Sequence, residues 1–203
     1  MVRKSVLTSV ALLRGINVGR NKRLSMADLR DVAQGLGWGN VSTLLATGNL
    51  IFNARGADAR DSPRLAARLE KALASKLGLV SRVVVLSASD IETVLREQPF
   101  GAKADNPSRL LVAAYIDATA RQQLESLLSQ DWSPGALALG QHAAYMWCPD
   151  GILDSALMAA VTRSTRDGLT ARNWSTWQKI HRLAAATSTP AEGQRSRISL
   201  KTG

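Results

Sequence analysis

The sequence predicts an α+β fold: a ferredoxin-like β-α-β-β-α-β first half, followed by a second βαββα-type subdomain. Two observations carry that reading. Over residues 5–86, apolar runs and helix-period stripes follow one another in the order strand, helix, strand, strand, helix, strand. That is the split βαβ order of an antiparallel four-stranded sheet with two helices on one face. From residue 109 the order partly repeats, although no residue-level repeat is visible. An apolar content of 45% supplies a core, and a charged fraction of 21% is ordinary for a folded chain.

The first strand is read over residues 5–14, SVLTSVALLR, from its β-branched and aliphatic run. Two cations precede it, but the run is short and broken by Arg14, so it reads as a strand in preference to a signal peptide. Ser25 stands as an N-cap with Asp28 three residues on, and Leu24 can staple against Leu29. Leu29, Val32, Ala33 and Leu36 give the helical stripe, and Gly35, Gly37 and Gly39 end it. Strands follow at 41–46 and 49–53 around Thr47-Gly48, a turn at which Gly48 and Asn49 tolerate positive φ. Asp61 or Ser62 caps the next helix, with Pro63 in its first turn and Gly78 at its end. The run Val80 to Leu86 closes the first half as a buried strand.

Ser89 is read as the cap of a short helix from Asp90 to Gln98, stopped by Pro99. The Pro/Gly-rich loop after it places a boundary near residue 105. Beyond it come a strand at 109–116 and a helix at 118–129 with Leu124, Leu127 and Leu128 inward. Two short strands follow at 136–139 and 143–148, then a helix capped by Asp154 and a last helix from Asn173 to Ala185. The domain division is therefore 1–104 with its linking helix, 105–186, and a basic tail at 187–203 expected to be disordered.

Charge is unevenly placed in a chain of net +10. Residues 1–23 hold six cations and no acid, 24–89 net +3, 90–161 net −5 and 162–203 net +6. If the fold joins the two ends, they form one cationic face for phosphates or other anions. The loop RGINVGRNK at 14–22 combines glycines, amide donors at Asn17 and Asn21, and charge at Arg14, Arg20 and Lys22, which suits an anion. It has neither Walker A nor G-x-G-x-x-G spacing. Arg172, read as the residue before the last helix, would sit at that helix's positive end at a cost of ~0.3–1 kcal/mol, so it needs a partner or a bound anion. Trp174, Trp177 and His181 fall on one stripe of that helix, which reads as core packing, with a stacking platform for bases as the alternative. His142 reads as turn chemistry. The acids of 90–161 read as solvated charge.

Cys148 is the only cysteine, so no intrachain disulfide forms, and a reducing, cytoplasmic location is expected. With two histidines, a zinc site is not expected, nor is any cofactor. No run approaches the ~20 apolar residues of a membrane span.

ALLRGINVG at 11–19, SMADLR at 25–30, TGNLIF at 47–52 and TARNWSTWQKI at 170–180 together resemble the family called domain of unknown function 1697, over roughly residues 6–185. The resemblance implies a two-subdomain α+β fold with a ferredoxin-like first half, and brings no activity with it. The function expected from the residues is a cationic site, formed by both ends of the chain, for a phosphorylated small molecule or nucleic acid. Its candidate ligand-binding residues are Arg14, Asn17, Lys22, Asn49, Arg172 and Asn173. An enzyme acting on a phosphorylated small molecule, with no catalytic residue identified, and a protein-interaction module are the alternatives.

Overall fold

The computed structural model describes residues 6–17 and 23–188. Lys22, with Arg20 and Asn21, and the tail beyond Ser188 lie outside them, so the expectations placed there are not addressed. The first half runs β1 (Val6–Leu13), α1 (Met26–Gly35), β2 (Gly39–Leu44), β3 (Asn49–Arg55), α2 (Ser62–Leu77) and β4 (Val83–Ser87). Its sheet has the order β2-β3-β1-β4, antiparallel at every pairing, which is the ferredoxin-like arrangement. After α3 (Ala88–Arg96), the second half runs β5 (Leu110–Tyr115), α4 (Ala118–Glu125), β6 (Ala136–Leu139), β7 (Ala143–Trp147), α5 (Ala156–Thr165), β8 (Leu169–Asn173) and α6 (Trp174–Ser188). Its sheet order, β6-β7-β5-β8, repeats the first.

The second half is therefore a complete β-α-β-β-α-β unit, not the βαββα arrangement expected from sequence. The missing strand is β8, residues LTARN. Leu169 and Ala171 pack with α4 and α5, while Thr170 and Arg172 turn to the other face. An arginine in so short a strand hides the apolar alternation. Arg172 therefore lies in a strand, paired with Val112, as well as directly before the residue that caps α6. Asn173 does cap α6: its Oδ1 accepts from the Thr176 N–H at 3.0 Å.

Other starts and stops follow local hydrogen bonding. Ser25 accepts from the Asp28 N–H at 3.0 Å, and Asp61 from the Arg64 N–H at 3.0 Å. In the β2–β3 turn it is Leu45, at φ 58°, and Gly48, at φ 74°, that take the left-handed region, while Asn49 stays extended in β3. The cap of α3 is Ser87 and not Ser89, because β4 runs directly into the helix. Ser87 and Asp90 form a reciprocal capping box, and Ser89 merely contacts the Ser87 hydroxyl. Similarly Ser155, one residue past Asp154, caps α5. Helix α4 stops at Glu125, which leaves Leu128 half exposed and not inward. Helix α6 continues through Thr187 and Ser188, two residues of the expected tail. Ser87→Ala is expected to cost about 1 kcal/mol in urea unfolding and Ser89→Ala almost nothing.

Three apolar layers hold these elements. Leu13, Leu50, Phe52 and Val85 face α1 and α2, and Trp38 stacks on Phe52 with centroids 3.9 Å apart. Leu111, Ala144 and Met146 of the second sheet face α4 and α5. Between the two sheets lies a middle layer built on α3 and α6. There Trp177, Ile180 and Ile91 pack at once on Val10, Leu12 and Ile51 of the first sheet and on Val112 and Tyr145 of the second. No helix among the described residues is long and apolar enough to cross a membrane.

Candidate functional site

Five of the six residues singled out in the sequence are described, and Arg14, Asn49 and Arg172 meet where β1 ends against β8. Arg14 reaches from the first half to the second. Its Nε donates to Asp167 Oδ1 at 3.0 Å, Nη1 to the Leu169 carbonyl at 2.5 Å and Nη2 to the Arg166 carbonyl at 2.8 Å. Arg172 reaches the opposite way. Its Nε donates to Asn49 Oδ1 at 2.6 Å, and Nη2 to the carbonyls of Leu13 and Thr47, both at 2.8 Å. Nη1 donates to Thr170 Oγ1 and the Ala171 carbonyl. All five guanidinium N–H groups are thus taken, every one by a neutral acceptor. Burial lowers the Arg172 pKa to about 10, which leaves it charged at neutral pH.

The three asparagines are likewise bonded within the protein. Asn49, wholly buried, also donates to the Leu44 carbonyl and Thr47 Oγ1. Asn17, at φ 55°, ties the loop after β1 to the Leu24 backbone and the Ala46 carbonyl. Asn173 turns to its own helix, accepting from Ser175 and Thr176. Trp177 has no exposed surface and donates from Nε1 to the Val112 carbonyl at 2.9 Å, so the tryptophan stripe is packing.

A cleft of about 480 Å³ opens between the two halves instead, within the ~300–1,000 Å³ range of small-molecule sites. The edge of β4 and the first turns of α2 (Pro63, Ala66) form one wall, and Ile116 to Ala118 with Arg121 of α4 the other. Asp90 of α3 and Gln141-His142 of the β6–β7 turn close its end. His142 Nε2 stands 3.4 Å from Asp90 Oδ1. The Asp117 carboxyl is held below the usual range, chiefly by the Thr119 hydroxyl, with Arg82 3.5 Å away. Burial pushes the Tyr115 phenol up, and its hydroxyl donates to the Gly140 carbonyl. An imidazole beside a carboxylate can take or give a proton, and Arg121 offers charge to an anionic group.

Sequence reading missed this cleft because its polar groups come from four elements and no two form a motif. The one available signal was the acidic segment 90–161 within a basic chain, which supplies Asp90 and Asp117. Among the described residues, no group of three or more His, Cys, Asp or Glu is placed to hold a metal ion. Cys148 is buried, with its thiol pushed up by burial.

The family model described as protein of unknown function (DUF1697) matches residues 7–145. Among solved structures, the conserved bacterial protein SP0830 from Streptococcus pneumoniae is 22% identical. The match covers 89% of this chain and 99% of that one, at a TM-score of 0.74, and shows a shared fold. No curated protein matches the chain.

Proposed function

We propose that this chain, which belongs to the family of proteins of unknown function (DUF1697), binds a small amphipathic ligand in the cleft between its two ferredoxin-like units. The observation that carries the proposal is the cleft itself: about 480 Å³, with an apolar wall of β4 and α2, Asp117 and Arg121 on the facing wall, and Asp90 and His142 at its end. Paired apolar and convergent polar surface is what small-ligand sites offer. The junction residues fit this reading less well as ligand groups, since their donors are spent within the protein.

The test is thermal stabilisation by a panel of nucleotides, sugar phosphates, amino acids and short peptides, on the wild type and on Ala118→Trp. Ala118 is exposed and lines the cleft, so the indole fills it at little cost to folding. A panel member present at 100 times its Kd is expected to stabilise the wild type by about 2.7 kcal/mol and the variant hardly at all. Stabilisation that survives in Ala118→Trp would place the ligand elsewhere.

A second reading keeps a phosphorylated ligand or nucleic acid at the junction of Arg14 and Arg172. What favours it is that Arg172 faces no carboxylate among the described residues, so its charge is not cancelled locally. Phosphate stabilisation that persists in Ala118→Trp and disappears in Lys22→Met would support this reading. For nucleic acid, log K would also fall linearly with log salt.

A further inference from the structure

We infer that the ligand of the cleft is a short extended peptide carrying a basic group, paired through its main chain to the open edge of β4. The inference rests on the cleft reading above and names its ligand class. Strand β4 is the outer strand of the first sheet. The Arg14 N–H donates to the Arg82 carbonyl at 2.9 Å, and Leu13 stands opposite Val83. Antiparallel alternation then turns the N–H and C=O groups of residues 82, 84 and 86 towards β1, and those of 83, 85 and 87 outward. The outward N–H of Val83 donates to Glu70 Oε1 at 2.7 Å, and that of Ser87 to Asp90 Oδ2 at 2.9 Å. Carboxylates therefore close both ends of this edge, a common guard against stray pairing.

Val85, between them, is left open. Its N–H and C=O point away from β1 and have no partner among the described residues. Val85 lines the cleft although the residue as a whole is only 4% exposed. A buried main-chain amide without a partner is costly, so water or a ligand completes it. One residue of a peptide laid antiparallel to β4 exchanges both of its main-chain hydrogen bonds with Val85. Its side chain then projects with that of Val85 to the α2 face, towards Pro63 and Ala66, and those of its two neighbours project to the opposite face, towards Ile116. Of the charged groups lining the cleft, Asp117 is matched by Arg82 at 3.5 Å and Arg121 by Glu125 at 2.9 Å, which leaves Asp90 as the carboxylate with no arginine or lysine paired to it among the described residues. The cleft thus favours a cationic side chain over an anionic one.

The test is ¹⁵N NMR of the full chain with two libraries of acetylated, amidated hexapeptides, one with lysine fixed at the third position and one with glutamate. In the free protein, the Val85 amide is expected to exchange with solvent faster than those of Val84 and Leu86. The lysine library should shift that amide and slow its exchange by about tenfold or more, leaving Val84 and Leu86 as they were. The glutamate library should do less, and Ala118→Trp should abolish the effect. A Val85 amide already as protected as Val84 in the free chain, or one that the lysine library leaves unmoved, overturns the proposal. If peptides fail while another panel compound stabilises the wild type but not Ala118→Trp, the peptide class falls and the cleft reading stands. If neither acts at the cleft, both fall.

Discussion

Replacing Arg172 by methionine is expected to lower stability by about 3–5 kcal/mol and the melting temperature by roughly 10 °C, in buffer free of ligand. Methionine keeps part of the apolar stem but removes all five donors. The wholly buried Asn49 Oδ1 then loses its one donor among the described residues, and the Leu13 and Thr47 carbonyls lose a charged one, Leu13 keeping only the Thr170 hydroxyl. Stranded buried acceptors cost about 1–3 kcal/mol each, which sets the range. Arg172→Lys should recover only part, because an ammonium group is a point and cannot span β1, the β2–β3 turn and β8 at once. Arg14→Met should cost far less, about 1 kcal/mol, since its partner Asp167 is 75% exposed and the pair sits in water. Urea unfolding of the three variants measures this order. An Arg172→Met protein as stable as the wild type, but no longer stabilised by phosphate, would make the arginine a ligand group and not a link between halves.

That reversal of role shows where the sequence stops being informative. The first half was readable because β1, β3 and β4 each carry an apolar run (residues 10–13, 50–52 and 83–86), β2 is marked by the Thr47-Gly48 turn after it, and each helix has its cap and its glycine stop. Ser25, Asp61 and Gly78 do in the structure what their types suggest. The second half was readable until Arg172. A strand of five residues with a guanidinium at its fourth position carries little alternation to detect, and Asn173 is both its last residue and a helix cap. Treating LTARN as a lead-in to the helix hid the second ferredoxin-like unit. Arg14, Asn49 and Arg172 were picked out by charge and amide content, and they do lie together. Composition could not say that their donors point at main-chain oxygens 150 residues away and not at solvent. The cleft was invisible for a related reason: Asp90, Asp117 and His142 are brought together only by the packing of one sheet over the other, which no local spacing records.

Trp177→Ala is expected to cost about 3–5 kcal/mol, the range for emptying a buried aromatic site. The indole has no exposed surface, and its Nε1 bond to the Val112 carbonyl leaves that acceptor with the first claim on any water that enters. The more informative expectation concerns cooperativity. Trp177 and Ile180 belong to the apolar layer shared by Val10, Leu12 and Ile51 of one sheet and Val112 of the other. Helix α6 therefore cannot leave without exposing both sheets, and the two halves should unfold together. The indole resonances of Trp38, stacked in the first half, and of Trp132, packed on the outer layer of the second, report the halves separately. Both are expected to vanish at one urea concentration in the wild type, and at one lower concentration in Trp177→Ala, with the slope of the transition unchanged. Loss of the Trp132 signal while Trp38 keeps its wild-type midpoint would mean that the middle layer joins two independently stable domains, and that the substitution unfolds only the second.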